Sequence, residues 1–460
     1  CHDREVSDQW ETYRMHMLAT PDHEAYFDFC SNVIQLKVYD SSYRDEFQRA
    51  ISWEPGNSPL SHREADFRAL LKHEVTHFLD VSTTAWGRQY SYRKLRFIRL
   101  LRERDPAVED AREVFAIESG EIELHSSLVS AGYVPPAECE AIQNQLIYTE
   151  EYGTCLLLHY LKGGRIEHSV PVSVLSLLEA NATASEFLSL LQSANAQDDV
   201  VERRLSFADI KRRFDNLLND RARLEYAALL HVTRVHFSNL ELHELLGLVS
   251  ATSRFALDLS GMEMSMLAND IEGSFLNKEL GHAMAMELRR GSHRQLIYFK
   301  TVLFLHGWLQ VVGPSGRDAC LEMVRRSPGA AIRRMWDEGF GRKLGEDYVE
   351  ELAELGAAEL EKRISERPIL ADGRILSESR LHNASQLKKS PAGLLSFRDL
   401  RLLDGLFKDG EPLRFPNRIE IDPVAYYEDH MEVLAQFDSE YRSMSHARIH
   451  LPPGAPVFHL

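Results

Sequence analysis

The sequence offers little material for a disulfide framework. Only five of its 460 residues are cysteine: Cys1, Cys30, Cys139, Cys155 and Cys320. They are scattered, odd in number and without C-x-x-C spacing, so neither a disulfide scaffold nor a thiolate zinc site is expected, and a reducing, cytoplasmic setting fits. Positive charge is also scarce. Lys and Arg number 53 against 70 Asp and Glu, a net charge of −17. That balance excludes a nucleic-acid grip, which needs a basic stripe to neutralise phosphates, and it favours solubility. Long apolar runs are missing too. The most apolar late stretch, LIYFKTVLFLHGWLQVV (296–312), is short and carries Lys300, His306 and Gln310, so it reads as a buried helix and not a membrane span. The opening CHDREVSDQW is too polar for a secretory signal. There is no internal repeat and no low-complexity tract. GPSGR (313–317) lacks the lysine and preceding strand of a phosphate loop and reads as a turn, and no G-x-S-x-G elbow supports serine catalysis.

What is present is ordinary globular composition, 44% hydrophobic and 27% charged, in a chain long enough for two or three domains. NVIQLKVYD (32–40) alternates with a period of two and predicts a strand; EFQRAISW (46–53) reads as a second. EPGNSPL (54–60) is turn chemistry. Ser61 and Glu64 then have the S-x-x-E spacing of a capping box, predicting a helix from about residue 62 with Leu70, Leu71, Phe78 and Leu79 on its buried side. Pro135 and Pro136 predict the start of a long helix ending at Gly163 and Gly164. RIEHSVPVS (165–173) reads as extended and LSLLEANATASEFLSLL (175–191) as a helix. From 206 to 370 the pattern is of successive amphipathic helices broken at Gly261, Gly291 and near Gly313. Short strands are expected at RIEID (418–422) and ARIHL (447–451). The fold class expected is α+β, strongly α-rich, with a small N-terminal sheet. The expected organisation is a catalytic core over 1–200, a helical domain over 201–370 and a mixed C-terminal region over 371–460.

The chemistry is concentrated in HEVTH (73–77). On a helix, positions i and i+4 share a face, so His73 and His77 can direct two imidazoles at one ion. Zinc accepts neutral imidazole nitrogens and keeps one coordination position for water. Glu74, one residue on, is placed to act as general base on that water. Elsewhere the patterns are weaker. HELLG (243–247) lacks the second histidine and reads as an exposed helix turn. His231 and His236 are five apart, off a common face, and read as core or surface residues. Met262, Met264, Met266, Met284 and Met286 suggest soft core packing or an adaptable partner surface.

HEVTH on a helix behind a short sheet resembles the zincin metallopeptidases. The metzincin extension is not met, because Asp80 and Thr83 stand where a glycine and a third histidine are required. The gluzincins, which draw a third ligand from a Glu on a later helix, are the more similar group. The resemblance covers the motif helix and a stretch of about residues 30–190. It implies a third-ligand Glu on an apolar helix with a small residue three positions on. Glu179 in LLEANA fits, with Ala182 at +3; Glu150, with Gly153 at +3, its neighbour Glu151, and Glu225, with Ala228 at +3, also qualify. Glu118 and Glu121, in a more polar segment, rank below them.

The resulting expectation is zinc-dependent hydrolysis of peptide bonds in a protein or peptide substrate, with Zn2+ as cofactor and no nucleic-acid or membrane partner. The extended segment 46–53 would add a strand against the substrate. The helical region after about residue 200 would restrain the site or recognise a regulatory protein partner. The rival reading is a helical scaffold or regulator, inactive or metal-free.

Overall fold

The structure, a computed structural model, describes residues 24–103, 130–149, 153–341 and 372–430, a few positions between 354 and 363, position 432, and 457–458. Along the chain, strands β1 (Ala25–Asp28) and β2 (Val33–Leu36) precede helices α1 (Arg44–Ser52), α2 (His62–Thr83) and α3 (Ala85–Glu103). Strands β3 (Ser130–Ala131), β4 (Ala141–Thr149), β5 (Gly153–Lys162) and β6 (Arg165–Val172) follow. Nine helices come next: α4 (Val174–Asn195), α5 (Val200–Asn219), α6 (Leu224–His236), α7 (Leu242–Asp258), α8 (Gly261–Gly273), α9 (Lys278–Arg289), α10 (Arg294–Val311), α11 (Gly313–Arg326) and α12 (Pro328–Phe340). Helix α13 (Asp372–Leu387) and strands β7 (Gly405–Leu406), β8 (Pro412–Leu413) and β9 (Val457–Phe458) complete the described elements. The protein is of the α-rich α+β class.

Two compact units are formed, residues 1–123 with 357–451, and 124–356 with 452–460. These do not follow the expected boundaries at 200 and 370. The C-terminal region supplies β7 and β8 to the sheet begun by β1 and β2, so the first unit is closed by sequence-distant segments, and the helices after residue 200 pack on α4 and β6 in the second.

In the first unit, β1 and β2 pair antiparallel, β2 runs parallel to β7 through Gln35 and Leu406, and β7 pairs antiparallel with β8. Helix α2 begins as its sequence requires. Ser61 accepts from the Glu64 amide, and the Glu64 carboxylate accepts from the Ser61 amide at 2.9 Å. It packs on β1, α1, α3 and α13, and its burial from Phe67 onward is nearly continuous, with Leu71, Phe78 and Leu79 inside and Leu70 half-buried. The stretch 46–53 lies in α1 and is not a strand. Phe47, Ala50 and Ile51 are buried at i, i+3 and i+4, and that helical spacing prevails over the local alternation. No described strand occupies 418–422, where a single bridge joins Leu402 and Arg418, and 447–451 lies outside the described residues.

In the second unit, the five-stranded sheet has the order β3-β6-β5-β4-β9. It replaces the long helix expected from Pro135 to Gly164, of which only a 3-10 turn at Pro136–Glu138 forms. Gly163 and Gly164 do not cap a helix. At φ 56° and 74° they form the two-residue loop between Lys162 and Arg165, and positive φ at both positions is what a hairpin of this kind demands. Helix α4 forms where expected and packs against α5, α6 and α7. By length and composition it is the one described helix that could cross a membrane, but 94% of its apolar window is buried inside the protein, as in a core helix. The segment 313–317 is the first turn of α11, with proline at its start, and not a free turn. Helix α10 is the buried helix read from 296–312. Met264 and Met284 are core, while Met262 and Met286 are each 40% exposed. HELLG opens α7, with His243 exposed and Leu245 and Leu246 buried. The four described cysteines, Cys30, Cys139, Cys155 and Cys320, are free thiols.

Candidate metal centre

Helix α2 carries His73, Glu74 and His77 in the middle of its length. His73 is half-buried, while Glu74 and His77 are buried at 4% and 0% exposure. The two imidazoles sit one turn apart with ring centroids 5.1 Å from each other and planes at 76°.

The first unit fixes the His77 ring from the strand side. Phe27 on β1 stacks on it at 6.3 Å and 29°, and Phe29 lies at 5.6 Å. Phe29 belongs to the tight turn joining β1 to β2. The Asp28 carboxylate accepts from the Cys30 amide at 3.0 Å and from the Ser31 hydroxyl at 2.5 Å. Asn32 adopts φ 57°, a left-handed conformation that asparagine tolerates. Helix α3 pins the turn from behind: Lys94 Nζ donates to the Cys30 carbonyl at 2.7 Å and the Tyr90 hydroxyl to that of Phe29 at 3.3 Å. Helix α3 can lie so close because of Gly87. Its amide donates to Thr84 Oγ1 at 3.1 Å, and a Cβ there would strike the Val81 carbonyl and stand 2.5 Å from that of Asp80.

The opposite flank of α2 carries two buried cations. Arg68 donates Nη1 to the Ala50 carbonyl at 2.9 Å, and its guanidinium lies 5.0 Å from the Trp53 ring and 5.2 Å from that of Phe397. Lys72 donates Nζ to the Leu395 carbonyl at 2.5 Å and rests 3.9 Å from the Phe397 ring centre. Burial holds the Lys72 amine well below the usual lysine range, and the neighbouring Arg68 charge adds to the effect. Burial likewise pushes Arg68 down to about 10, against the opposing pull of Glu54. The i, i+4 spacing of the two cations is visible in the sequence, but their burial is not.

Glu179 lies on α4, 3% exposed, with Leu178, Ala180 and Ala182 all at 0% around it in sequence. An ionised carboxylate in such surroundings is costly unless a partner compensates it. One ligand atom from each of His73, His77 and Glu179 lies within 4.8 Å of the other two. This donor set, two imidazole nitrogens and a carboxylate oxygen, is the one a zinc ion prefers when a coordination position stays open. Bonds of about 2.0–2.2 Å in a tetrahedral site space ligand atoms roughly 3.3–3.6 Å apart. The residues therefore fit the ion with side-chain movements on the order of 1 Å. Of the other sequence candidates, Glu118, Glu121, Glu150 and Glu151 lie outside the described residues, as does the side chain of Glu225 on α6. His231 and His236 take separate structural roles: His231 Nε2 donates to the Leu218 carbonyl at 2.6 Å, and His236 Nδ1 to that of Val232 at 2.8 Å.

No known protein family, curated protein or solved structure matches the chain.

Proposed function

We propose that the protein is a zinc-dependent peptidase in which His73, His77 and Glu179 hold the ion and Glu74 is the general base. The observation that carries the reading is the approach of one ligand atom from each of the three residues to within 4.8 Å of the others. When bound, zinc would polarise the scissile carbonyl and bring the pKa of a water to about 7.

Glu74 follows His73 directly and is 4% exposed, so its carboxylate is held beside the ligands in a low-dielectric setting where a proton acceptor is effective. It takes the proton of the attacking water and delivers it to the departing amine. Half-buried His73 leaves the ligand group within reach of solvent, and thus of an extended peptide or protein chain. We place this activity in the cytoplasm, a setting consistent with the free thiols of Cys30, Cys139, Cys155 and Cys320. The helical region after residue 200 is the natural place for restraint or substrate choice, which suits a peptidase confined to particular partners.

The test combines elemental analysis of protein produced with ample zinc and hydrolysis of a quenched fluorescent peptide library. One zinc per chain is expected in the wild type and none in His73→Ala or Glu179→Ala. Glu74→Gln should keep its zinc and lose at least ~10²-fold in turnover. A wild-type protein without stoichiometric zinc would overturn the reading.

A further inference from the structure

We infer that Lys72, gripped by the C-terminal segment around Leu395 and Phe397, sets the rotation of α2 about its axis and thereby positions His73 and His77. The inference rests on the metal-site reading above.

Lys72 immediately precedes His73, about 100° away around the helix. Its amine is wholly buried, which is unfavourable for a strongly hydrated group unless a specific interaction compensates it. That interaction is directional: Nζ donates to the Leu395 carbonyl at 2.5 Å while resting 3.9 Å from the Phe397 ring centre. Arg68, one turn earlier on the same flank, makes a second anchor through the Ala50 carbonyl at 2.9 Å and shares the Phe397 ring at 5.2 Å.

One anchor would let the helix swivel; two anchors a turn apart on one flank do not. Interlocking core packing resists such rotation as well, and the two hydrogen bonds add a fixed direction to it. The lever is long enough to matter. With backbone atoms at about 2.3 Å from the axis and an imidazole nitrogen roughly 4 Å farther out, a turn of about 10° carries the nitrogen on the order of 1 Å. Metal bonds tolerate about 0.2 Å. Lys72 is thus a positioning residue, and the segment around Leu395 and Phe397 acts on the candidate site through it.

The experiment uses the full chain. Lys72→Met keeps the length of the side chain and its packing on Phe397 but cannot donate. Zinc affinity, measured by competition with a chromophoric chelator, should fall tenfold or more, and the visible spectrum of the cobalt-substituted protein should change in intensity and band position. Phe397→Leu, which leaves the amine but removes the ring beneath it, should shift both readouts in the same direction by less, and it serves as the test should Lys72→Met not fold. Zinc affinity within twofold of wild type and an unchanged cobalt spectrum, whatever the melting temperature does, would show that Lys72 only stabilises the fold and would overturn the inference. Failure of the wild type itself to bind zinc would instead remove the metal-site reading on which it rests.

Discussion

Acid should weaken the unit formed by residues 124–356 in a way traceable to His231. Its imidazole is buried, donates from Nε2 to the Leu218 carbonyl at 2.6 Å, and meets the Tyr160 ring edge-on at 5.4 Å. Burial pushes its pKa down to about 4; the Leu218 hydrogen bond opposes this, and the Arg234 and His168 charges reinforce it. In the unfolded chain the same group titrates near 6.5. The unfolded state therefore binds the more protons between those values. The stability contributed by the neutral ring is complete above pH 6.5 and is lost as pH falls towards 4. The loss amounts to roughly 3 kcal/mol by pH 4 and somewhat less at pH 4.5. Against a typical domain stability of roughly 5–15 kcal/mol, that is a large share. The variant to compare is His231→Gln, whose amide can still donate to Leu218 but does not titrate. Urea unfolding would be followed from pH 7 to pH 4.5 by tryptophan fluorescence in a Trp53→Phe, Trp86→Phe background, which keeps Trp308 and Trp336 of this unit as reporters. Wild type should lose roughly 2 kcal/mol more than the variant over that range. His293, half-buried and pushed down to about 4 by desolvation, leaves a residual slope in both. Parallel stability curves for the two proteins would refute the reasoning.

Two further outcomes concern the frame around α2. Gly87→Ala should destabilise the first unit by at least ~3 kcal/mol, because the new methyl group meets the Val81 and Asp80 carbonyls of α2 and neither backbone can yield cheaply; an unchanged urea midpoint would mean that α3 does not lie so close. Phe29→Ala should cost about 3–5 kcal/mol and weaken zinc binding along with stability, since the ring both fills the core and walls His77 at 5.6 Å; full zinc affinity in the variant would show that this wall does not hold the imidazole.

How much of this could be read in the sequence varies with the range of the information. The start of α2 is local: Ser61 and Glu64 contain the whole capping box, and the i, i+4 pairing of His73 and His77 follows from helical geometry alone. Helix α4 is equally local, a long Ala- and Leu-rich run closed off by Ser173. The sheet of the second unit is not legible locally, because Pro135, Pro136, Gly163 and Gly164 are punctuation that suits a helix or a hairpin. Only the pairing of β4, β5 and β6 decides between them, and pairing is a property of three segments together. The same limit hides the closure of the first sheet by Gly405 and Leu406, the latter paired with Gln35 at the far end of the chain. It also hid the grip on Lys72, whose partner Leu395 lies 323 positions away.

Glu179 shows what makes a long-range partner legible at all. Nothing in its neighbourhood names His73 or His77. What marks it is a cost: it is the one charged residue between Ser173 and Ser185, in a stretch whose residues from Val174 to Ser185 are all buried. A charge in that position must be compensated by something the local sequence does not contain. The two histidines pose the complementary question, since an ion held by one helix alone lacks a third protein ligand. On the proposed reading, each segment calls for the kind of group that the other supplies. The structure brings one ligand atom of each of the three residues within 4.8 Å of the others. The anchors on Arg68 and Lys72 carry no such mark, because a cation every fourth residue on a helix is what an ordinary solvated face also looks like. Only when a neighbour covers that face does the same pair of side chains become a device for holding the helix.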